Sequence, residues 1–180
     1  GSGTRLWPVS RQNMPKPFMR MRDGQSLLQK TFQRAARLPG VESVLTVTNR
    51  DLLFRTLDDY RGVNQARLPL DLLLEPFGRN TAAAIAVAAL HVQEHFGGDA
   101  QLLVMPADHL VLNETAFADA VTQARELAEA GYLVTFGIQP EHPETGFGYI
   151  EKGDALSLGN RVKRFVEKPD LATAQGYLDG

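Results

Sequence analysis

The sequence contains no cysteine. That removes disulfides, thiolate catalysis and cysteine-ligated metal sites, and it fits a reducing cytoplasm. No apolar run is long enough to span a bilayer and no stretch reads as a signal peptide, so no membrane partner is expected. Neither charge sign is in excess, since 19 Lys and Arg face 21 Asp and Glu for a net charge of −2. A nucleic-acid polymer is therefore not an expected partner. The Walker A pattern and the GxGxxG fingerprint are both missing, so the usual nucleotide signatures fail. Internal repeats and low-complexity tracts are absent too, and Ala82–Ala89 is only helix-forming composition. What remains is ordinary: 180 residues, 43% hydrophobic and 22% charged, describe one globular domain's worth of chain.

The informative stretch is the first one, GSGTRLWPVSRQNMPKP. Gly1, Ser2 and Gly3 can turn tightly and bring backbone N–H groups to an anion. Arg5, Arg11, Lys16, Arg20 and Arg22 follow, and Asp23 is the first acid. A glycine-rich turn beside a run of cations suits a polyphosphate, because backbone donors and side-chain charges converge on its oxygens. Leu6, Trp7, Pro8, Met14, Pro15 and Phe18 argue against a solvated basic tail.

Further along, helices and strands alternate. Gln25–Leu38 has the periodicity of an amphipathic helix stopped by Pro39-Gly40, and Val41–Thr48 reads as a strand. A second helix opens at Asn49 or Arg50 and ends near Arg61-Gly62, and Leu70–Leu74 reads as a buried strand. Asn80 is placed to cap a long Ala-rich helix ending at Gly97-Gly98. Gln101–Met105 and Tyr132–Ile138 are expected strands flanking a helix from about Thr115 to Ala130. Tyr149–Glu151 and Arg161–Glu167 read as two more strands, and Leu171 begins a last helix. The expected class is α/β with a largely parallel sheet, whose ligands sit at the carboxyl ends of strands, where the loops from Glu75, Pro106 and Gln139 begin. No strand precedes the glycine-rich turn and the chain stops soon after the last helix starts, so a piece of a larger domain is expected.

Asp108, after Met105-Pro106-Ala107, is a candidate Mg²⁺ ligand, because that ion takes one or two carboxylates plus substrate phosphates. A turn or helix-cap aspartate is the structural alternative. Glu167 could accept from sugar hydroxyls and Lys168 could neutralise a phosphate, or the two could be a surface ion pair. Thr145-Gly146-Phe147-Gly148-Tyr149 could bring backbone close to a ligand or be a plain hairpin turn. His91-Val92-Gln93-Glu94-His95 matches the inverted zinc-peptidase pattern, but no suitable third ligand follows and the motif is rejected.

Taken together, GTRLWPVSR, PKPF, EPFGRNTAAAIA, MPADH, TGFGYIE and FVEKPD resemble the mannose-1-phosphate guanylyltransferases, in that family's order and along the whole chain. The resemblance implies a Rossmann-like nucleotide-diphospho-sugar transferase fold, a mixed, largely parallel sheet flanked by helices. Residues 1–180 would be the N-terminal part of one such domain, truncated at both ends. It implies transfer of GMP from GTP to mannose 1-phosphate with Mg²⁺, without a covalent intermediate. Gly1, Ser2, Gly3 and Thr4 would cradle the triphosphate, and Arg5 and Lys16 would stabilise charge at the α-phosphate and the leaving pyrophosphate. Glu75, Arg79, Asn80 and Thr81 would line the guanine and ribose pocket, Asp108 would hold the metal, and Gly146, Tyr149, Glu167 and Lys168 would contact the sugar phosphate. The resemblance admits homo-oligomers and does not decide whether a phosphomannose isomerase domain accompanies the chain. The chain departs from the family in lacking its leading strand, its first motif glycine, the later sugar-recognition segment and a second metal aspartate, and in Ala83, which stands where RNTAPA has proline. A related hexose-1-phosphate nucleotidyltransferase and a non-catalytic sugar-nucleotide-binding paralogue are the alternatives. The 180-residue chain alone is expected to turn over poorly.

Overall fold

The computed structural model describes residues 15–78 and 80–179. They divide into two compact units, one running to Glu114 and the other starting at Thr115.

The first unit is organised around Phe18, Leu28, Phe32 and Tyr60, with Ala36, Val44, Leu52, Val63, Leu70 and Ala107 packed against them. Helix α1, Leu27–Ala36, supplies Leu28 and Phe32 from its apolar stripe. Ser26 and Gln29 start it as a reciprocal capping box, each side chain bonding the other's backbone N–H. Strands β1, Val44–Asn49, and β2, Leu70–Glu75, pair in parallel from Val44↔Leu70 to Asn49↔Glu75. The crossover between them is a short 3-10 turn, Arg50–Leu52, leading into helix α2, Leu53–Arg61. Thr56, Asp59 and Tyr60 form the buried face of α2. Tyr60 meets Phe32 ring to ring at 4.7 Å and shares a 2.7 Å hydrogen bond with the Thr46 hydroxyl. Burial pushes the Tyr60 phenol above its ordinary value. Helix α3, Asn80–Phe96, buries only Ala88.

In the second unit, helix α4, Glu114–Glu129, ends in a Schellman turn. Gly131 takes φ +87° while Gly131 N–H donates to Ala128 O at 2.9 Å and Tyr132 N–H to Leu127 O at 3.1 Å. Strands β3, Gly148–Leu156, and β4, Gly159–Glu167, form an antiparallel hairpin, from Gly148↔Glu167 to Leu156↔Gly159, with irregular register between Glu151 and Ala155. Helix α5, Leu171–Asp179, follows, with Ala174 fully buried. The described sheets are thus one parallel and one antiparallel pair.

Two expected strands are corrected. Residues 101–105 and 132–138 carry no assigned strand and pair with none of the described strands. Leu102, Val104, Leu133, Phe136 and Ile138 remain exposed. An apolar run shows that a segment seeks cover, but a strand exists only where a neighbour takes up its N–H and C=O groups.

Candidate active site

Lys16 sits in a 3-10 turn, Lys16–Phe18, held by Phe18 N–H to Pro15 O and Met19 N–H to Lys16 O, both at 3.0 Å. Asp108 lies far along the chain, yet its Oδ2 is 3.4 Å from the Lys16 ammonium. The core explains the meeting. Phe18, two residues after Lys16, is a core residue, and Ala107, one residue before Asp108, packs on the same cluster. Each charged residue therefore stands next to an apolar anchor. His109 Nε2 lies 4.0 Å from the other oxygen of Asp108. Both partners of the Lys16–Asp108 pair are a little over one-third exposed, which leaves the pair open to a ligand.

Of the other residues expected in this unit, Glu75 ends β2 opposite Asn49, at the carboxyl edge of the parallel pair. Asn80 and Thr81 open α3 and are exposed. Asn80 does not have the extended geometry expected of a capping residue, because its φ is +68°. Asparagine tolerates this left-handed region better than most residues, and such conformations concentrate at functional sites. Gly1, Ser2, Gly3, Thr4, Arg5, Arg11 and Arg79 lie outside the described residues. Arg20, counted among the cations for an anion, is engaged internally: its guanidinium pairs with Asp59 at 2.9 Å.

In the second unit, β3 and β4 bring Gly148 opposite Glu167, and Lys168 follows at the strand end. A Cβ on Gly148 would collide with the Phe165 ring and come within 3.0 Å of Glu167 Oε2. A side chain at this position would require the exposed Phe165 ring to shift. The positive-φ glycines among the described residues are Gly24, Gly40, Gly97 and Gly131, so Gly146 and Gly148 do not use the left-handed freedom open to them. The unusual backbone is at Lys168, with φ +45°. It is held on one side by its N–H bonding Phe147 O at 3.1 Å and on the other by buried Pro169. A positive φ is uncommon for a residue with a side chain, so this conformation is held by its surroundings. The Lys168 ammonium pairs with Glu167. Asp170 then caps α5, accepting from Thr173 N–H at 2.8 Å, and that bond holds its carboxyl below the usual range. Tyr149 meets Tyr177 as a tilted ring pair with centroids 5.3 Å apart, and its hydroxyl accepts from Glu144 N–H at 2.8 Å, which ties the preceding loop to β3. Gly146 lies in that loop with open space around it.

Sequence reasoning did not single out Ser26, Gln29 and Asp59, which form a buried polar cluster with Arg20. A signal was present in the spacing of Thr56, Asp59 and Tyr60, which places Asp59 on the inward stripe of α2. His91 and His95 of the rejected zinc motif stack at 4.1 Å, with His91 Nε2 3.9 Å from Asp71 on β2. Among the described residues no three His, Asp or Glu side chains group as a metal site.

The chain belongs to the nucleotidyl transferase family, whose profile matches residues 1–180. Xanthan biosynthesis protein XanB of Xanthomonas campestris pv. campestris is 51% identical over 99% of this chain and 37% of its own length. A mannose-1-phosphate guanylyltransferase of Klebsiella pneumoniae is 44% identical over 99% of this chain and 38% of its own. The chain thus spans under two-fifths of these relatives. The solved structure titled mannose-1-phosphate geranyltransferase from Thermus thermophilus has the same fold, with TM-score 0.84 and 38% identity over 99% of this chain and 51% of that one. A second, titled mannose-6-phosphate isomerase from Helicobacter pylori, gives TM-score 0.78 and 37% identity over 92% of this chain and 61% of that one. The resemblance stated from the motifs and the α/β class therefore both hold.

Proposed function

We propose that the protein containing this chain transfers GMP from GTP to mannose 1-phosphate, releasing pyrophosphate and forming GDP-mannose for polysaccharide synthesis. The observation that carries the reading is the Lys16–Asp108 pair, a cation and a hard oxygen ligand 3.4 Å apart and both accessible, in a chain whose relatives bear the guanylyltransferase name. A phosphate oxygen of the sugar attacks the α-phosphorus of GTP in line. The new P–O bond forms as the bond from the α-phosphorus to the bridging oxygen breaks, and the electron pair leaves with pyrophosphate. The protein's part is to position and neutralise charge.

In this reading Lys16, with Arg5 from outside the described residues, faces the triphosphate. Gly1, Ser2, Gly3 and Thr4 cradle it, and Glu75, Arg79, Asn80 and Thr81 receive the nucleoside. Gly146, Tyr149, Glu167 and Lys168 receive the sugar phosphate, and the held backbone at Lys168 supports that role. Asp108 fits Mg²⁺ as a single protein carboxylate completed by phosphate oxygens, the manner in which this ion binds with nucleotides. Bound there, Mg²⁺ would neutralise phosphate charge, and Lys16 would turn from Asp108 toward the phosphate. Among the described residues no helix is long and apolar enough to cross a membrane; a cytoplasmic site of action belongs to the same proposal.

The test is transfer by the full-length protein with Mg²⁺, using GTP, UTP or dTTP against mannose 1-phosphate or glucose 1-phosphate. GTP with mannose 1-phosphate should give the highest kcat/KM by at least tenfold. A higher value for another pair would reassign the substrates, and binding without transfer by any pair would favour a non-catalytic paralogue.

A further inference from the structure

Lys16 projects from a segment that a buried polar cluster ties to α2, and the chemistry proposed above makes no use of that cluster. Asp59 is only 5% exposed. Its Oδ1 accepts from Arg20 Nη2 at 2.9 Å and its Oδ2 from the Ser26 hydroxyl at 2.5 Å. Its backbone carbonyl accepts from Gln29 Nε2 at 3.0 Å. Arg20 Nη1 reaches Gln29 Oε1 at 2.9 Å and Gly24 O at 3.0 Å. The chain between them is closed by Met21 N–H to Gln25 O at 2.8 Å, Gly24 N–H to Met21 O at 2.9 Å and Leu27 N–H to Met19 O at 3.2 Å, with Gly24 at φ +79°.

Residues 19–27 are therefore one stapled loop, and the turn carrying Lys16 runs directly into it through Met19. The Arg20–Asp59 ion pair, with its guanidinium half in solvent, contributes little net stability. A fully satisfied polar cluster does, however, fix one geometry. Phe18 anchors the turn's apolar side, while the cluster fixes where the chain goes next.

We propose that Asp59 is a positioning residue for Lys16. By clamping Arg20 and Ser26 it sets the backbone that presents the Lys16 ammonium to Asp108. Only the kinetic part of the test rests on the guanylyltransferase reading.

Asp59→Asn and Arg20→Gln are made in the full-length protein, each with and without Lys16→Met. Arg20 is chosen because its side chain is 55% exposed, so its loss leaves the core intact if Asp59→Asn fails to fold. The first readout is the rate at which Lys16 is acetylated in a short acetic anhydride pulse, relative to Lys163, measured by mass spectrometry. It should rise at least threefold in either variant. The second readout is kcat, which should fall about tenfold where Lys16 is present, with KM for both substrates within twofold, and should not fall further in the Lys16→Met background. Unchanged Lys16 acetylation, or the same loss of kcat with and without Lys16, would overturn the proposal and leave the cluster a structural one. If the wild-type protein transfers no GMP, the functional reading fails and the acetylation rates alone decide this inference.

Discussion

Lys16 and Lys168 each stand beside a carboxylate, but they are placed by opposite means. Lys16 meets Asp108, distant in sequence, because Phe18 and Ala107 pack on one core and a buried cluster staples the following loop. Lys168 meets Glu167, its neighbour, at the end of a hairpin, and its own backbone is in a sparsely populated conformation. The first arrangement is tertiary and the second local. Changes far from Lys16 should therefore reach it, whereas Lys168 should respond mainly to changes in its own strand end and in the loop at Phe147.

The largest expected effect is at the tertiary pair. Asp108→Asn keeps shape but loses the charge a hard cation prefers. In the full-length protein it should raise the Mg²⁺ concentration for half-maximal activity at least tenfold, with a smaller change in KM for mannose 1-phosphate. A magnesium titration that does not move would remove Asp108 from the metal site and weaken the contrast with Glu167.

Glu167→Gln tests the local pair. KM for mannose 1-phosphate should rise about tenfold, roughly 1.4 kcal/mol, while KM for GTP changes less. Equal rises for both substrates would make Glu167 structural.

Stability sharpens the comparison on a smaller scale. Ser26 is fully buried and serves as both helix cap and donor to Asp59. Ser26→Ala should cost about 1–2 kcal/mol in chemical denaturation. Asp170→Ala removes a cap of the same kind at an exposed position, and its cost should be clearly smaller. Equal losses would show that the stapled loop is no more tightly held than the strand end.

The smallest effect is acid sensitivity of the second unit. Lys163 first, with Arg164, holds the Glu151 carboxyl below the usual range, and the Thr173 N–H does the same for Asp170. Depressed carboxylates contribute stability that is complete above the unfolded value and lost as pH falls through the folded one. Denaturation midpoints should thus fall as pH drops below the ordinary carboxylate range, and Glu151→Gln should flatten that fall. An unchanged slope would mean that the hairpin's ion pairs are already screened by solvent.

The helices were legible because their apolar stripes and glycine stops are local, as α1 and the Gly131 turn show. Strands β1 and β2 were legible in the same way, from runs such as Val41–Thr48 and Leu70–Leu74, the first of which begins three residues before the observed strand. Residues 101–105 have the same apolar character as β2, and only pairing with a neighbour separates the two outcomes. Lys16 and Asp108 were named by residue type and motif, but their contact is a product of shared core packing. Asp58 and Asp59 are adjacent and chemically identical. One residue of helix turns the direction by about 100°, so Asp58 pairs with Arg61 at the surface while Asp59 goes inward. Backbone strain at Lys168 left no trace in residue type beyond the following proline.

The contrast between the two lysines is tested most directly by steady-state kinetics of Lys16→Met and Lys168→Met in the full-length protein. Lys16→Met should lower kcat about a hundredfold or more, as loss of one preorganised donor to developing charge does, with KM for mannose 1-phosphate within threefold. Lys168→Met should raise that KM at least tenfold with kcat within threefold. Both substitutions moving the same parameter by similar factors would contradict the assignment of the tertiary pair to phosphate transfer and of the local pair to sugar-phosphate binding.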